Sequence, residues 1–174
     1  YNYERILGDY GAEDYHGYND EYLFGAFTPA KVANAPMYLN TVATTTAQLK
    51  KPFQYSIISV FPTQNTTFGT LGKDRFFTTR NWKGDFAEII AYRSNTNGAR
   101  RNVIEGYLRF KYAPPVELNE DTIANVSNFC DSITISVPNR FVSYLWSTGD
   151  TTPSVKVAAN KSYKLTVKDV FNNL

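Results

Sequence analysis

The chain is short of the residues that carry most enzyme chemistry. It has one histidine, His16, and one cysteine, Cys130, in 174 residues. A Ser-His-Asp or Cys-His triad needs a base beside its nucleophile, and no Gly-x-Ser-x-Gly elbow or suitable cysteine setting accompanies His16. A lone His and a lone Cys far apart in sequence make no zinc cluster. A single cysteine closes no internal disulfide. No apolar run approaches the ~20 residues of a membrane helix, so membrane insertion is not expected. The opening Tyr1-Asn2-Tyr3-Glu4-Arg5 lacks the basic-then-apolar pattern of a signal peptide, which points to processing or to a piece of a longer chain. Charge of one sign is missing too. Eighteen basic and 16 acidic residues leave +2, and no basic stripe marks a nucleic-acid partner.

What is present is apolar and aromatic. Hydrophobic residues make up 43% and charged residues 20%, enough for a core and too little charge for a disordered chain. Thirteen Tyr and 12 Phe, with frequent Asn and Thr, read as an all-β protein of an extracellular or cell-surface setting. Short apolar stretches predict strands at 22–27, 37–42, 53–61, 66–71 and 85–92, then at 132–137, 142–146, 154–157 and 162–167. Their spacing, with turn residues between, is that of a β-sandwich.

One amphipathic helix is predicted from Gly98 to Tyr112, with Asn97 as its cap. Val103, Ile104, Tyr107, Leu108 and Tyr112 form its apolar stripe. Arg100, Arg101, Glu105 and Arg109 fill the other face, with Glu105 placed to meet Arg109 one turn on. Ala113-Pro114-Pro115-Val116 ends the helix and forms a stiff joint, since consecutive prolines cannot continue it. Two domains are therefore expected, 1–113 and 117–174, joined by a proline linker at 114–116. In the second, Trp146 supplies buried area, Gly149 a turn, and Thr151-Thr152 the restart of a strand; this is scaffold, not chemistry.

A retaining glycosidase needs two carboxylates about 5 Å apart. Asp85 and Glu88 are three apart and would point to opposite faces of a strand. Glu88 shares a face with Phe86 and Ile90, which suits a partly buried structural carboxylate. No catalytic residue is expected.

The loop at 9–21 is the candidate site. Asp9, Glu13, Asp14 and Asp20 offer hard oxygen ligands for calcium, or they form a solvated acidic loop. Tyr10, Tyr15, Tyr18 and Asn19 offer rings that stack on sugar CH faces and an amide that bonds hydroxyls, suiting glycan or protein recognition; alternatively the tyrosines line a core.

Two stretches resemble known families. Trp82-Lys83-Gly84-Asp85-Phe86-Ala87-Glu88-Ile89-Ile90-Ala91-Tyr92-Arg93, with Ile104-Glu105-Gly106-Tyr107-Leu108-Arg109-Phe110-Lys111-Tyr112, resembles the C-terminal end of laminin-G-like (concanavalin A-like) jelly rolls of secreted bacterial proteins. The resemblance implies a jelly-roll β-sandwich closed by one C-terminal helix and incomplete at its N-terminus, and such domains often bind calcium at a loop edge. Arg100 departs from the family's usual Glu, so no capping box forms there.

Cys130-Asp131-Ser132-Ile133-Thr134-Ile135, Tyr144-Leu145-Trp146-Ser147-Thr148-Gly149 and Tyr163-Lys164-Leu165-Thr166-Val167 resemble an Ig-like (PKD-like) repeat of large secreted adhesins and enzymes in Bacteroidota. The glycine usual after the cysteine is missing. By this resemblance Cys130 pairs in a disulfide with a cysteine beyond Leu174, which fits an oxidising compartment; the alternative is a buried free thiol.

The pairing implies a non-catalytic segment of a secreted or cell-surface adhesin, with the jelly roll binding glycan or a surface protein and the Ig-like domain as spacer. It also implies export by type IX secretion machinery and a link to gliding motility. The other expectations are an accessory module of a polysaccharide-degrading enzyme and a structural filament segment.

Overall fold

The computed structural model describes residues 5–8, 14–16, 21–25, 28–74, 77–93, 98–116, 132–158 and 161–174. Ten strands and two helices appear among them, and strand residues outnumber helical ones, so the chain is β-rich. It divides into two compact units, Tyr1–Gly106 and Tyr107–Leu174.

The first unit holds two three-stranded antiparallel sheets. In one, β1 (Arg5–Gly8) lies between β2 (Asp14–His16) and β6 (Thr70–Leu71). In the other, β3 (Met37–Leu39) lies between β4 (Val42–Thr44) and β5 (Ile58–Val60). A one-turn helix, α1 (Ala30–Ala33), begins after Pro29, whose fixed φ suits a helix start.

Period-two alternation decides which side of the β4–β3–β5 sheet meets what. Met37 and Leu39, with Ile58 and Val60 opposite, pack into a core of Leu23, Phe24, Val32, Ala35 and Leu49. Tyr38 and its cross-strand neighbour Ser59 take the other face and receive the first half of α2 (Gly98–Tyr112). The Arg101 guanidinium sits 3.6 Å from the Tyr38 ring centre, and Ser59 Oγ donates to Glu105 Oε1 at 2.7 Å.

The helix has the bounds the sequence predicts, but its faces are not the expected ones: Val103 and Tyr107 of the expected apolar stripe are exposed, and Glu105 of the expected polar face is buried. Glu105 is 1% exposed, while Val103 and Phe110 face solvent. The reason lies in the sheet. It presents a hydroxyl and an aromatic face here, so a helix surface bearing Arg101 and Glu105 docks through a hydrogen bond and a cation–π contact. The expected cap Asn97 lies outside the described residues.

Other strand expectations are corrected. The stretch expected at 37–42 is instead a hairpin, with Asn40 (φ 49°) and Thr41 (φ 76°) as a two-residue turn and Leu39 opposite Val42. Those angles fit the primed turn that right-twisted strands favour. Asn40 suits it, and its Oδ1 accepts from Ile57 N–H at 2.8 Å. Thr41, β-branched, does not. Thr41→Gly should therefore stabilise the first unit by about 1 kcal/mol, the relief of a left-handed Thr less the entropy of Gly. The melting temperature should rise by several degrees. A fall would mean the threonine side chain contributes more than its strain.

The stretch at 53–61 is strand only at Ile58–Val60, that at 66–71 only at Thr70–Leu71, and Tyr22 makes a single bridge to Lys50. Residues 85–92 form no strand at all. Local β-propensity does not make a strand without a ladder partner in register.

The second unit follows its sequence closely. β7 (Ser132–Ser136) pairs with β9 (Ser154–Ala158), and β8 (Ser143–Trp146) with β10 (Leu165–Lys168), all antiparallel. Val137, Tyr144, Trp146, Val155 and Val157 are buried between them. Trp146 Nε1 donates to the Thr152 carbonyl at 2.9 Å, Tyr144 OH donates to the Pro138 carbonyl at 3.0 Å, and Gly149 turns the chain at φ 93°.

Candidate functional site

The candidate loop is anchored by the β1–β2 pair. Leu7 stands opposite Tyr15 and Gly8 opposite Asp14, with a bulge between Arg5 and Leu7. On the other side of β1, buried Thr70 brings its Oγ within 3.1 Å of the Gly8 carbonyl and 3.0 Å of the Lys73 carbonyl. Strand pairing thus fixes the chain on both sides of residues 9–13.

The sequence reading treats 9–21 as one loop; the structure inserts β2 into it. Asp14 and Tyr15 are consecutive residues of that strand. The other candidates, Asp9, Tyr10, Glu13, Tyr18, Asn19 and Asp20, lie outside the described residues, as does Cys130.

At the far end of the loop, Glu21 is engaged by Lys50, whose ammonium donates to Glu21 Oε1. That hydrogen bond, and the carboxylate charge behind it, hold the Lys50 pKa above its ordinary value. The lysine also lies 5.9 Å from the Tyr22 ring centre, and Lys51 N–H donates to the Glu21 carbonyl. A carboxylate held by a lysine is a poor ligand for a cation. Lys50 is a residue the sequence reading missed, for no spacing rule links positions 29 apart. Among the described residues, no group of three His, Cys, Asp or Glu side chains could hold a metal ion.

Of the carboxylates weighed for glycosidase chemistry, Glu88 is partly buried and partnered as expected, but not for the expected reason. With no strand at 85–92, the opposite-face argument has no strand to rest on. Asp85 is exposed, and Glu88 is half-buried while Phe86 and Ile90 face solvent. A shallow, open depression elsewhere is lined by Pro29, Ala30, Lys31, Asn34, Thr63 and Gln64, with neither acid nor aromatic ring. No helix among the described residues is long and apolar enough to cross a membrane.

No family model, curated protein or solved structure matches the chain.

Proposed function

We propose that this chain is a non-catalytic segment of a secreted or cell-surface bacterial adhesin. The first unit, as the C-terminal part of a laminin-G-like jelly roll, recognises a glycan or surface protein through the tyrosine- and acid-rich stretch at 9–20. The second, as an Ig-like domain, spaces it from the next part of the chain. The observation that carries the reading is the density of tyrosine, acid and amide side chains about a short strand anchored to β1. Tyrosine supplies rigid, amphipathic contact area at low entropic cost, and neighbouring carboxylates and amides accept from hydroxyls. This combination favours a glycan over an apolar partner. The second unit's buried tyrosine and tryptophan are spent on internal hydrogen bonds, which supports a spacer role.

Replacing both Tyr15 and Tyr18 with Ala tests it. Binding to an immobilised glycan should drop by at least about tenfold, the loss of two stacking contacts near 1 kcal/mol each, with the melting temperature nearly unchanged. Collapse of the fold would place the two rings in a core and remove the basis for the proposal.

A further inference from the structure

Two aromatic side chains of the first unit project from a short loop that is held at both ends. Phe53 is 96% exposed and Tyr55 57%, and neither ring has a partner among the described residues. Before the loop, the carbonyl of buried Leu49 accepts from Leu23 N–H at 3.0 Å, and the N–H of buried Lys51 donates to the Glu21 carbonyl at 2.8 Å. After it, buried Ile57 is bonded twice to Asn40: its carbonyl accepts from Asn40 N–H at 2.9 Å, and its N–H donates to Asn40 Oδ1. Pro52 fixes its own φ at the loop's start. Rings displayed on a loop pinned this way lose little freedom on binding.

Pairing also sets where the loop stands. Tyr22 bridges Lys50 antiparallel, so the chain running back from Glu21 and the chain running on from Lys51 leave the bridge at the same end. The stretch at 9–20 runs into Glu21, and so joins the fold beside this loop. Between the two stands the Glu21–Lys50 ion pair, each side chain more than half exposed.

We propose that Phe53 and Tyr55 form a second sugar subsite, stacking on pyranose rings of a β-linked glycan whose hydroxyls are equatorial. Such a sugar presents CH groups on its faces and hydroxyls at its rim. The aromatic rings match the faces. The ion pair matches the rim, since the Lys50 ammonium has donors beyond the one given to Glu21. Rings set beside charge in this way suit a sugar better than a protein partner, whose anchors sit in a contiguous, desolvated apolar patch. The inference rests on the glycan reading above and adds to it a subsite and a class of sugar.

Isothermal titration calorimetry of residues 1–174 with cellohexaose, a β-linked chain of such sugars, tests it. Phe53→Ala and Tyr55→Ala should each weaken binding about fivefold. The melting temperature should not move, since both side chains are exposed. Phe53→Tyr should keep the affinity, and Phe53→Leu should lose as much as Phe53→Ala, because stacking needs a ring and not apolar area alone. Wild-type affinity in Phe53→Leu would overturn the proposal. So would undiminished binding by the Phe53→Ala, Tyr55→Ala double variant. Binding to other glycans but not to cellohexaose would overturn this inference alone. No binding to any glycan, from protein shown to be folded, would overturn it together with the reading on which it rests.

Discussion

Trp146→Ala is expected to unfold the second unit. The indole is 3% exposed, lies among Val137, Tyr144, Val155 and Val157, and bonds the Thr152 carbonyl. Truncating a buried aromatic to Ala costs about 3–5 kcal/mol. Leaving the carbonyl without its donor adds about 1–3 kcal/mol where water cannot replace it. A unit this small sits at the low end of the 5–15 kcal/mol that holds ordinary domains together. Most or all of its stability is therefore removed. Near-UV circular dichroism of the tryptophan and tyrosine environment, with urea denaturation, would record it. The neighbouring residue is the control: Leu145, on the same strand, is 55% exposed. Leu145→Ala should change stability by no more than about 0.5 kcal/mol, as surface substitutions do. Equal effects from the two would mean β8 does not alternate as described.

The second large effect is at Glu105. One carboxylate oxygen accepts from Ser59 Oγ, and the other, buried, has no hydrogen-bond partner among the described residues. Ser59→Ala should destabilise by about 1.5–3 kcal/mol, the range for a hydrogen bond to a charged group. Glu105→Leu replaces a buried carboxylate by an apolar side chain of similar size, and such exchanges are often neutral or stabilising. In that background Ser59→Ala should cost less than about 0.5 kcal/mol, so the cycle is strongly non-additive. Additive losses would show that the two side chains act separately and that α2 is held to the sheet by Arg101 on Tyr38 and by packing.

These residues also show where sequence reasoning reaches and where it stops. The helix Gly98–Tyr112 was legible because a 3.6-residue period and two following prolines are local facts. Strands β7 to β10 were legible because each alternates against one small core. Glu105 was not, because pairing rules between successive helical turns treat the helix in isolation, and the Tyr38–Ser59 face that receives it lies far away in sequence. The hairpin at Asn40-Thr41 was hidden because threonine is unfavourable at positive φ, and Asn40 alone is a weak turn signal inside an otherwise apolar run. Residues 85–92 have every local mark of a strand, yet a strand is a pairing and its partner is not a local property. At the candidate site the tyrosine and acid pattern was visible in sequence. The strand β2 running through it was not, nor was the engagement of Glu21 by Lys50, since both depend on contacts made by the folded chain.

A glycan-array screen of the folded protein, run once with calcium and once with chelator, tests the recognition claim most directly. A saturable signal on at least one glycan is expected, with no release of sugar from it. Loss of that signal in chelator would add calcium to the site and point to Asp9, Glu13, Asp14 and Asp20; its persistence would leave recognition to the tyrosines. No saturable signal in either condition, from protein shown to be folded, would contradict glycan recognition by the first unit.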